Sequence, residues 1–496
     1  MVRPGFAAFG EGIAVTDFEQ LLIGGEWVAP ASNKRFAVHS PATLEPVGST
    51  PEAVEADIDA AVAAARRAFD HGPWPTTSPI DRAKVIARFG ELLAERLPEF
   101  KTVLTEEMGA PGATVEMMMY TPASAVLGVF NELATSFPWE ETRTGLFGQS
   151  VVRREPVGVV AAIIPWNVPL FIAINKLVPA LLAGCTVILK PAPETPIDAL
   201  MLGALFSEAG LPDGVLSVVP ADRTVSEYLV THPGVDKVSF TGSTAAGRRV
   251  GSLATERLKR VSLELGGKSA AIVLDDVDLA SSAFMIAFSG LMNSGQACVA
   301  QTRILAPRSR YDEITEAIVA SAAMMSVGDP SDPATQLGPL VAERQRDRVE
   351  GYIEAGKSEG ARLVLDGTRP AGLDRGWYVG PTVFAEVDNA MTIAREEIFG
   401  PVLSLIPYDT EAEAIAIAND SDYGLAGSVW TADVDHGFEI ATKVRTGTYG
   451  INWYAFDMGS PFGGYKASGV GREDGPEGLA AFCELKSILM PLGYTG

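Results

Sequence analysis

Two residues in this 496-residue chain suggest covalent chemistry: Cys298, in Asn293-Ser294-Gly295-Gln296-Ala297-Cys298, and Glu264, in Leu263-Glu264-Leu265-Gly266-Gly267-Lys268. A cysteine after a small-residue turn is a candidate nucleophile, and an acid between a strand and a glycine pair is a candidate base. Together they suggest an acyl group held as a thioester and then released. Other groups join them more weakly. Lys190 ends an apolar strand before Pro191-Ala192-Pro193-Glu194-Thr195-Pro196, where it could meet a ribose or phosphate; alone it reads as a solvated strand end. Gly242-Ser243-Thr244-Ala245-Ala246-Gly247 lacks the middle glycine of the usual dinucleotide fingerprint and only weakly suggests a phosphate at a helix N-terminus. Asn167, after Pro165-Trp166, could aim its amide at a developing oxyanion, or could simply be a turn residue. Glu396-Glu397-Ile398-Phe399-Gly400-Pro401 alone reads as an exposed turn, and a lone cysteine is more often structural.

The elements that must position these groups follow an alternating pattern. Strands are expected at 157–164, 186–190, 215–219 and 238–240, with helices at 170–182 and 196–210 and another after Thr244. Strands at 270–274, 303–306, 402–407 and 428–431 imply a second alternating region. Strand–helix alternation predicts an α/β fold with parallel doubly wound sheets and ligands at the C-terminal strand ends. Leu21 to Val28 reads as a hairpin around Gly24-Gly25, and Val54 to Phe69 as a helix. Ser78-Pro79-Ile80-Asp81 looks like a capped helix start. The pattern reads as two α/β domains with the boundary near Gly266-Gly267.

Composition narrows the functional classes. The net charge of −23 argues against nucleic-acid binding and against docking on anionic lipid. Three cysteines in a chain this long do not suggest a disulfide framework and point to a reducing compartment, the cytoplasm. Asp17 and Glu19 fall where a signal peptide would be apolar. Pro156 to Asn175 is uncharged and long enough to span a bilayer, but its prolines and Trp166-Asn167 suit a strand, a turn and a helix better.

Seven segments occur in one order: PWN at 165–167, KPAPETP at 190–196, FTGST at 240–244, LELGGK at 263–268, GQAC at 295–298, EEIFGPV at 396–402 and SPFGGYKASG at 460–469. In this the chain closely resembles the aldehyde dehydrogenase superfamily over nearly its whole length. The resemblance implies an oxidoreductase with a Rossmann-like cofactor domain (1–137 and 155–266), a catalytic domain (267–463), and an oligomerisation arm and C-terminal segment (138–154 and 464–496) that includes Val151 to Glu155. A homodimer or homotetramer is therefore expected. A small-molecule aldehyde is the implied partner, with no nucleic acid, membrane or metal.

The resemblance also implies roles. Cys298 attacks the aldehyde, Asn167 and the Cys298 backbone N–H hold the oxyanion, and Glu264 activates the water that hydrolyses the thioester. Lys176 and Glu473 match a proton relay in some relatives. The implied NAD-binding residues are Ile164, Pro165, Trp166, Lys190, Gly242, Ser243, Leu265, Glu397 and Phe399. The implied substrate pocket comprises Val168, Asn175, Ala297, Val299 and Phe456, with Met117 to Tyr120 at its mouth. It suggests a medium-sized aliphatic, terpenoid or aromatic aldehyde. One departure stands out: Pro193 replaces the glutamate that in many NAD-specific members binds the ribose and repels a 2′-phosphate, so NADP is less strongly excluded. The alternatives are an NADP-preferring or coenzyme A-acylating semialdehyde dehydrogenase and a non-catalytic structural or binding protein on the same fold.

Overall fold

The computed structural model describes residues 16–494. Its largest sheet has eight strands. In spatial order they are Gly469–Val470, Arg260–Glu264, Lys237–Thr241, Val159–Ile163, Thr186–Lys190, Leu216–Val218, Leu21–Ile23 and Glu26–Val28. The middle five run parallel. Val159–Ile163, Thr186–Lys190 and Leu216–Val218 are wholly buried, which explains their largely apolar runs. Val159–Ile163 comes first in the chain among these five. Later strands are laid down first on one side of it and then on the other, so the order reverses between Val159–Ile163 and Lys237–Thr241. A crevice at the C-terminal strand ends is expected there. Ile164 to Asn167 and Gly242-Ser243 occupy those ends.

A second sheet of seven strands is built around Ala270–Val273, Arg303–Pro307, Val402–Tyr408 and Gly427–Trp430, also parallel. A third sheet of three antiparallel strands joins Glu140–Gly145, Gly148–Pro156 and Cys483–Leu489. A fourth, formed by Thr16–Asp17, Arg35–His39 and Pro46–Pro51, was not anticipated from the sequence. The C-terminal segment serves two sheets: Gly469–Val470 extends the first, pairing with Leu263 and Glu264, while Cys483–Leu489 completes the third.

Local chemistry sets the element ends. Gly24 and Gly25 take φ of 61° and 84°, the left-handed pair that a tight hairpin turn needs. Ser78 caps the helix Pro79–Glu95 by accepting from the Asp81 N–H. The helix Pro169–Ala183 is buried along its whole length, which explains an apolar sequence without amphipathic periodicity. No helix among the described residues is long and apolar enough to cross a membrane.

Candidate active site

Cys298 sits after a strained turn. Asn293, Ser294 and Gly295 have φ of 52°, 55° and 73°, three consecutive left-handed residues. Such conformations are costly for non-glycine residues and persist only when neighbours enforce them. The Asn293 amide donates to the Asn167 carbonyl at 2.9 Å, and the Ser294 hydroxyl donates to the Gly338 carbonyl at 2.8 Å. Gln296 accepts from the Val341 N–H at 3.0 Å. Gly295 is required for space as well: a Cβ there would lie 2.0 Å from the Gly400 carbonyl oxygen. The turn leads into Cys298, which is half-buried.

Asn167 is buried, and its side-chain amide donates to the Gln296 carbonyl at 2.9 Å. An amide NH₂ has two hydrogens, so one stays free for an oxyanion. The glycines of the LELGGK segment are explained by close approach. A Cβ on Gly267 would lie 2.4 Å from the Cys298 carbonyl oxygen, and one on Gly266 would lie 2.4 Å from a Glu397 carboxylate oxygen. The Gly267 N–H donates to Glu397 at 2.9 Å. Ser468 locks the turn by donating to the Gly266 carbonyl at 2.7 Å and accepting from the Gly424 N–H at 2.9 Å.

Glu264 ends its strand buried, with neither carboxylate oxygen hydrogen-bonded to the protein. Burial, followed by the neighbouring Glu473 carboxylate, drives its pKa well above the carboxylate range. Glu473 pairs with Lys176, whose ammonium also donates to Ser239 at 3.1 Å. Burial pushes the Cys298 thiol up to about 12, aided by Glu397 and Glu264. In this state the thiol is protonated, so attack requires added positive charge or a base.

On the cofactor side, burial lowers Lys190 to about 8. Ser243 caps the helix Thr244–Glu256, its hydroxyl accepting from the Ala246 N–H at 3.3 Å and leaving its own hydrogen for an anion at the helix N-terminus. Gly242 bonds from its N–H to the Glu264 carbonyl at 3.0 Å, and Gly247 lets the helix approach Leu265. Ile164 continues its strand by donating to the Lys190 carbonyl at 3.1 Å. Phe399 is held at φ 62°, its ring edge-on to Trp166 with centroids 5.4 Å apart. The helix Glu343–Ser358 holds this loop: Gln345 donates to the Phe399 carbonyl and Arg348 to the Glu397 carbonyl, each at 2.7 Å. Burial raises Glu397 to about 7, opposed by the Gly267 N–H, Arg348 and Lys268. Glu194, beside Pro193, pairs with Arg344 from the same helix.

On the other side of Cys298, the structure places Val168, Ala297, Val299 and Phe456 in one apolar cluster with Phe171, Tyr454 and Phe462. Phe456 lies 5.6 Å from Phe171 and 5.3 Å from Phe462 between ring centroids. A cavity of about 410 Å³ is lined by Trp453, Tyr454, Phe456 and Phe462. Asn175 stands instead with the buried acids, donating to Glu473 at 3.3 Å. Residues 116–120 form a π-helical turn, a distortion common near functional sites. Sequence reasoning did not single out Asn293, Arg348, Ser468, Phe171, Tyr454 or Phe462. Asn293, Ser468 and Phe462 lie inside runs it quoted, but which of them touch the site depends on contacts distant in the chain.

Residues 27–488 match the Aldehyde dehydrogenase family. The chain is 47% identical over 475 residues to the geranial dehydrogenase of Castellaniella defragrans, covering 96% of this chain and 99% of that protein. It is similar to a Mycobacterium tuberculosis aldehyde dehydrogenase solved with NAD+, with a TM-score of 0.97, 59% identity, and coverage of 97% of this chain and 100% of that one. A Pseudomonas syringae aldehyde dehydrogenase C variant, solved with NAD+ and octanal, gives a TM-score of 0.92 at 42% identity, covering 95% of this chain and 96% of that one. The buried cysteine turn, the buried Asn167 amide and the unpaired buried acid Glu264 all lie within a match over almost the whole chain. The chain belongs to the aldehyde dehydrogenase family and is an aldehyde-oxidising enzyme.

Proposed function

We propose that this enzyme oxidises a medium-sized apolar aldehyde to its carboxylic acid, with hydride passing to NAD, through a thioester on Cys298. The observation that carries the hydrolytic reading is Glu264, a buried carboxyl with no protein partner beside the nucleophile's turn. The residues fit a dinucleotide. Lys190 stands at a strand end for the ribose hydroxyls, Ser243 caps a helix N-terminus suited to the pyrophosphate, and Glu397 and Phe399 are fixed beside Cys298 for the nicotinamide ribose and ring. When bound, NAD accepts the hydride and brings a cationic ring towards the raised thiol.

The protein's own residues then act in sequence. The Cys298 thiol releases its proton to solvent, and the sulfur adds to the aldehyde carbonyl. The oxygen gains negative charge and is held by the free hydrogen of the Asn167 amide and the Cys298 N–H. After hydride loss the acyl group stays on sulfur as a thioester. Glu264 takes a proton from water as the water attacks the acyl carbon, and the C–S bond breaks.

The aromatic wall of Phe171, Tyr454, Phe456 and Phe462 supports an apolar substrate, in keeping with the relative that bears the name geranial dehydrogenase and the relative solved with octanal. NAD is favoured over NADP because no added basic residue appears in the 190–196 segment and Glu194 is fixed nearby by Arg344. The eight-stranded sheet, the seven-stranded sheet and the antiparallel sheet that ends in Cys483–Leu489 support a cofactor domain, a catalytic domain and an arm that pairs subunits in a dimer or tetramer. Three free cysteines support a cytoplasmic location.

The test is to follow nicotinamide reduction with NAD and NADP over linear, terpenoid, aromatic and carboxylate-bearing aldehydes, without coenzyme A. Turnover with apolar aldehydes and NAD is expected. A strict need for coenzyme A, or a strong preference for semialdehydes, would overturn this reading.

A further inference from the structure

The wall of the aromatic cavity holds one polar residue that its local structure does not explain. Asp474 stands directly before the short helix Gly475–Ala480, where an aspartate ordinarily caps the free N–H groups, yet its side chain makes no capping bond. Its backbone takes φ 60° and ψ 164°, a region essentially reserved for glycine. Asp474 is 1% exposed, and one of its carboxyl oxygens has no hydrogen-bond partner among the described residues. A strained backbone and an unpaired buried oxygen are both costly.

Asp474 lines the cavity of about 410 Å³ together with Trp453, Tyr454, Phe456 and Phe462. Other polar groups of that wall are already committed. The Tyr449 hydroxyl donates to the Ser428 carbonyl at 3.0 Å, Tyr454 and Thr448 share a bond of 2.8 Å, and Ser460 donates to Asp457. Asn175 reaches the same corner as Asp474. Its amide donates to Glu473 at 3.3 Å and faces the Asp474 carboxyl, while its own Oδ1 is buried without a partner among the described residues. The corner therefore holds two unpaired oxygens, one from each side chain. The charged groups facing Asp474 are Glu473, Asp457 and Lys176, and Lys176 is paired with Glu473. Among the described residues that line the cavity, none is basic. The Tyr454 phenol lies within electrostatic reach of both the Cys298 thiol and the Asp474 carboxyl, which puts the corner in the neighbourhood of the nucleophile.

We propose that Asp474, with Asn175, binds a hydroxyl group at the far end of the substrate, so that the preferred aldehyde has an apolar body and a hydroxylated end. The proposal rests on the apolar-aldehyde reading above and deepens it. The aromatic wall takes the carbon chain, and the corner supplies the one polar contact. Burial, followed by the neighbouring Glu473, drives the Asp474 pKa well above the carboxylate range, which favours its neutral form and a neutral partner over a cation. A neutral carboxyl both donates and accepts, and so does a hydroxyl. A methyl end leaves the corner unpaired, and a carboxylate end meets the acids. The strained backbone turns the carboxyl away from its own helix and onto the cavity wall.

The test measures kcat/KM with NAD for straight-chain aldehydes from hexanal to decanal, each compared with its ω-hydroxy and ω-trimethylammonio counterparts. The enzymes are the full-length parent, Asp474→Gly and Asp474→Asn. The parent is expected to prefer the hydroxyl end over the methyl end by about tenfold or more, most strongly at one chain length, because the corner is fixed. Asp474→Gly should lose that preference while keeping turnover of the methyl-ended aldehydes. Its Tm should be no lower than the parent's, since glycine adopts this backbone freely. Asp474→Asn, which keeps a neutral donor and acceptor, should retain the preference. No preference in the parent, or one that survives in Asp474→Gly, would overturn the proposal. Equal losses on both kinds of aldehyde with a lowered Tm in Asp474→Gly would show a structural role and also overturn it. A preference for the ammonium end would overturn the neutral hydroxyl as the ligand. Carboxylate-ended aldehydes outrunning the whole series would instead remove the apolar-aldehyde reading on which the proposal rests.

Discussion

Each functional side chain has a separate physical reason for its place. Cys298 is a thiol held up at about 12 by burial and two nearby acids, so its reactivity is withheld until positive charge arrives. Cys298→Ala should abolish turnover while leaving NAD binding measurable by fluorescence titration. Asn167→Ala should lower kcat by about 10²–10³-fold, the usual loss of an oxyanion donor, with a smaller change in KM. Glu264 must be ionised to act as a base, and its pKa is raised by burial and Glu473. Acyl-enzyme decay should therefore rise with pH across a limb that lies above the ordinary carboxylate range. Glu264→Gln should remove that limb and accumulate acyl-enzyme by mass; a limb that survives the substitution would assign it to another group.

At the scale of elements, two loops and one helix hold the chemistry together. The nucleophile turn lies against Gly400, the LELGGK turn against Glu397, and the helix Glu343–Ser358 grips the loop that carries Glu397 and Phe399. Gly266→Ala places a methyl on the Glu397 carboxylate, so it should raise the NAD KM by about tenfold or more, with kcat less affected. Gly295→Ala combines a left-handed φ with a 2.0 Å approach to backbone, which side-chain motion does not relieve. It should cost about 1–3 kcal/mol or more in stability and be visible as a lower Tm. An unchanged Tm would mean that this turn relaxes freely.

At the scale of the whole molecule, the arm is the element with too little covering. Leu146 and Phe147 at its tip are 90% and 80% exposed, and Leu485 and Leu489 are 66% and 82% exposed on the final strand. Its outer strands, Glu140–Gly145 and Cys483–Leu489, leave two open sheet edges. Exposed apolar groups on an open sheet fit subunit pairing. Leu485→Glu combined with Leu489→Glu should shift the mass measured by light scattering to a smaller species; an unchanged mass would place the interface elsewhere.

The sequence by itself determined much of this protein. Thr186–Lys190 was legible residue for residue, because a parallel strand covered on both faces reads as a nearly continuous apolar run. The hairpin at Gly24-Gly25 and the Ser78 cap were legible because positive φ and an orphan helix N–H each demand few residue types. Cys298, Glu264 and Asn167 stand out as candidates in the sequence because ordered motifs carry them. What only the tertiary structure decided lies between segments far apart in the chain. Asn175 joins Glu473, Arg348 holds Glu397, and Phe171 meets Phe456 because separate elements converge at the C-terminal ends of the strands. Lys237, Ser239 and Ser262 were hidden for the same reason: each looks like an ordinary surface residue in one dimension, and only the pairing of distant strands buries it. Local sequence sets period and turn chemistry, whereas register and burial are set by which strands become neighbours.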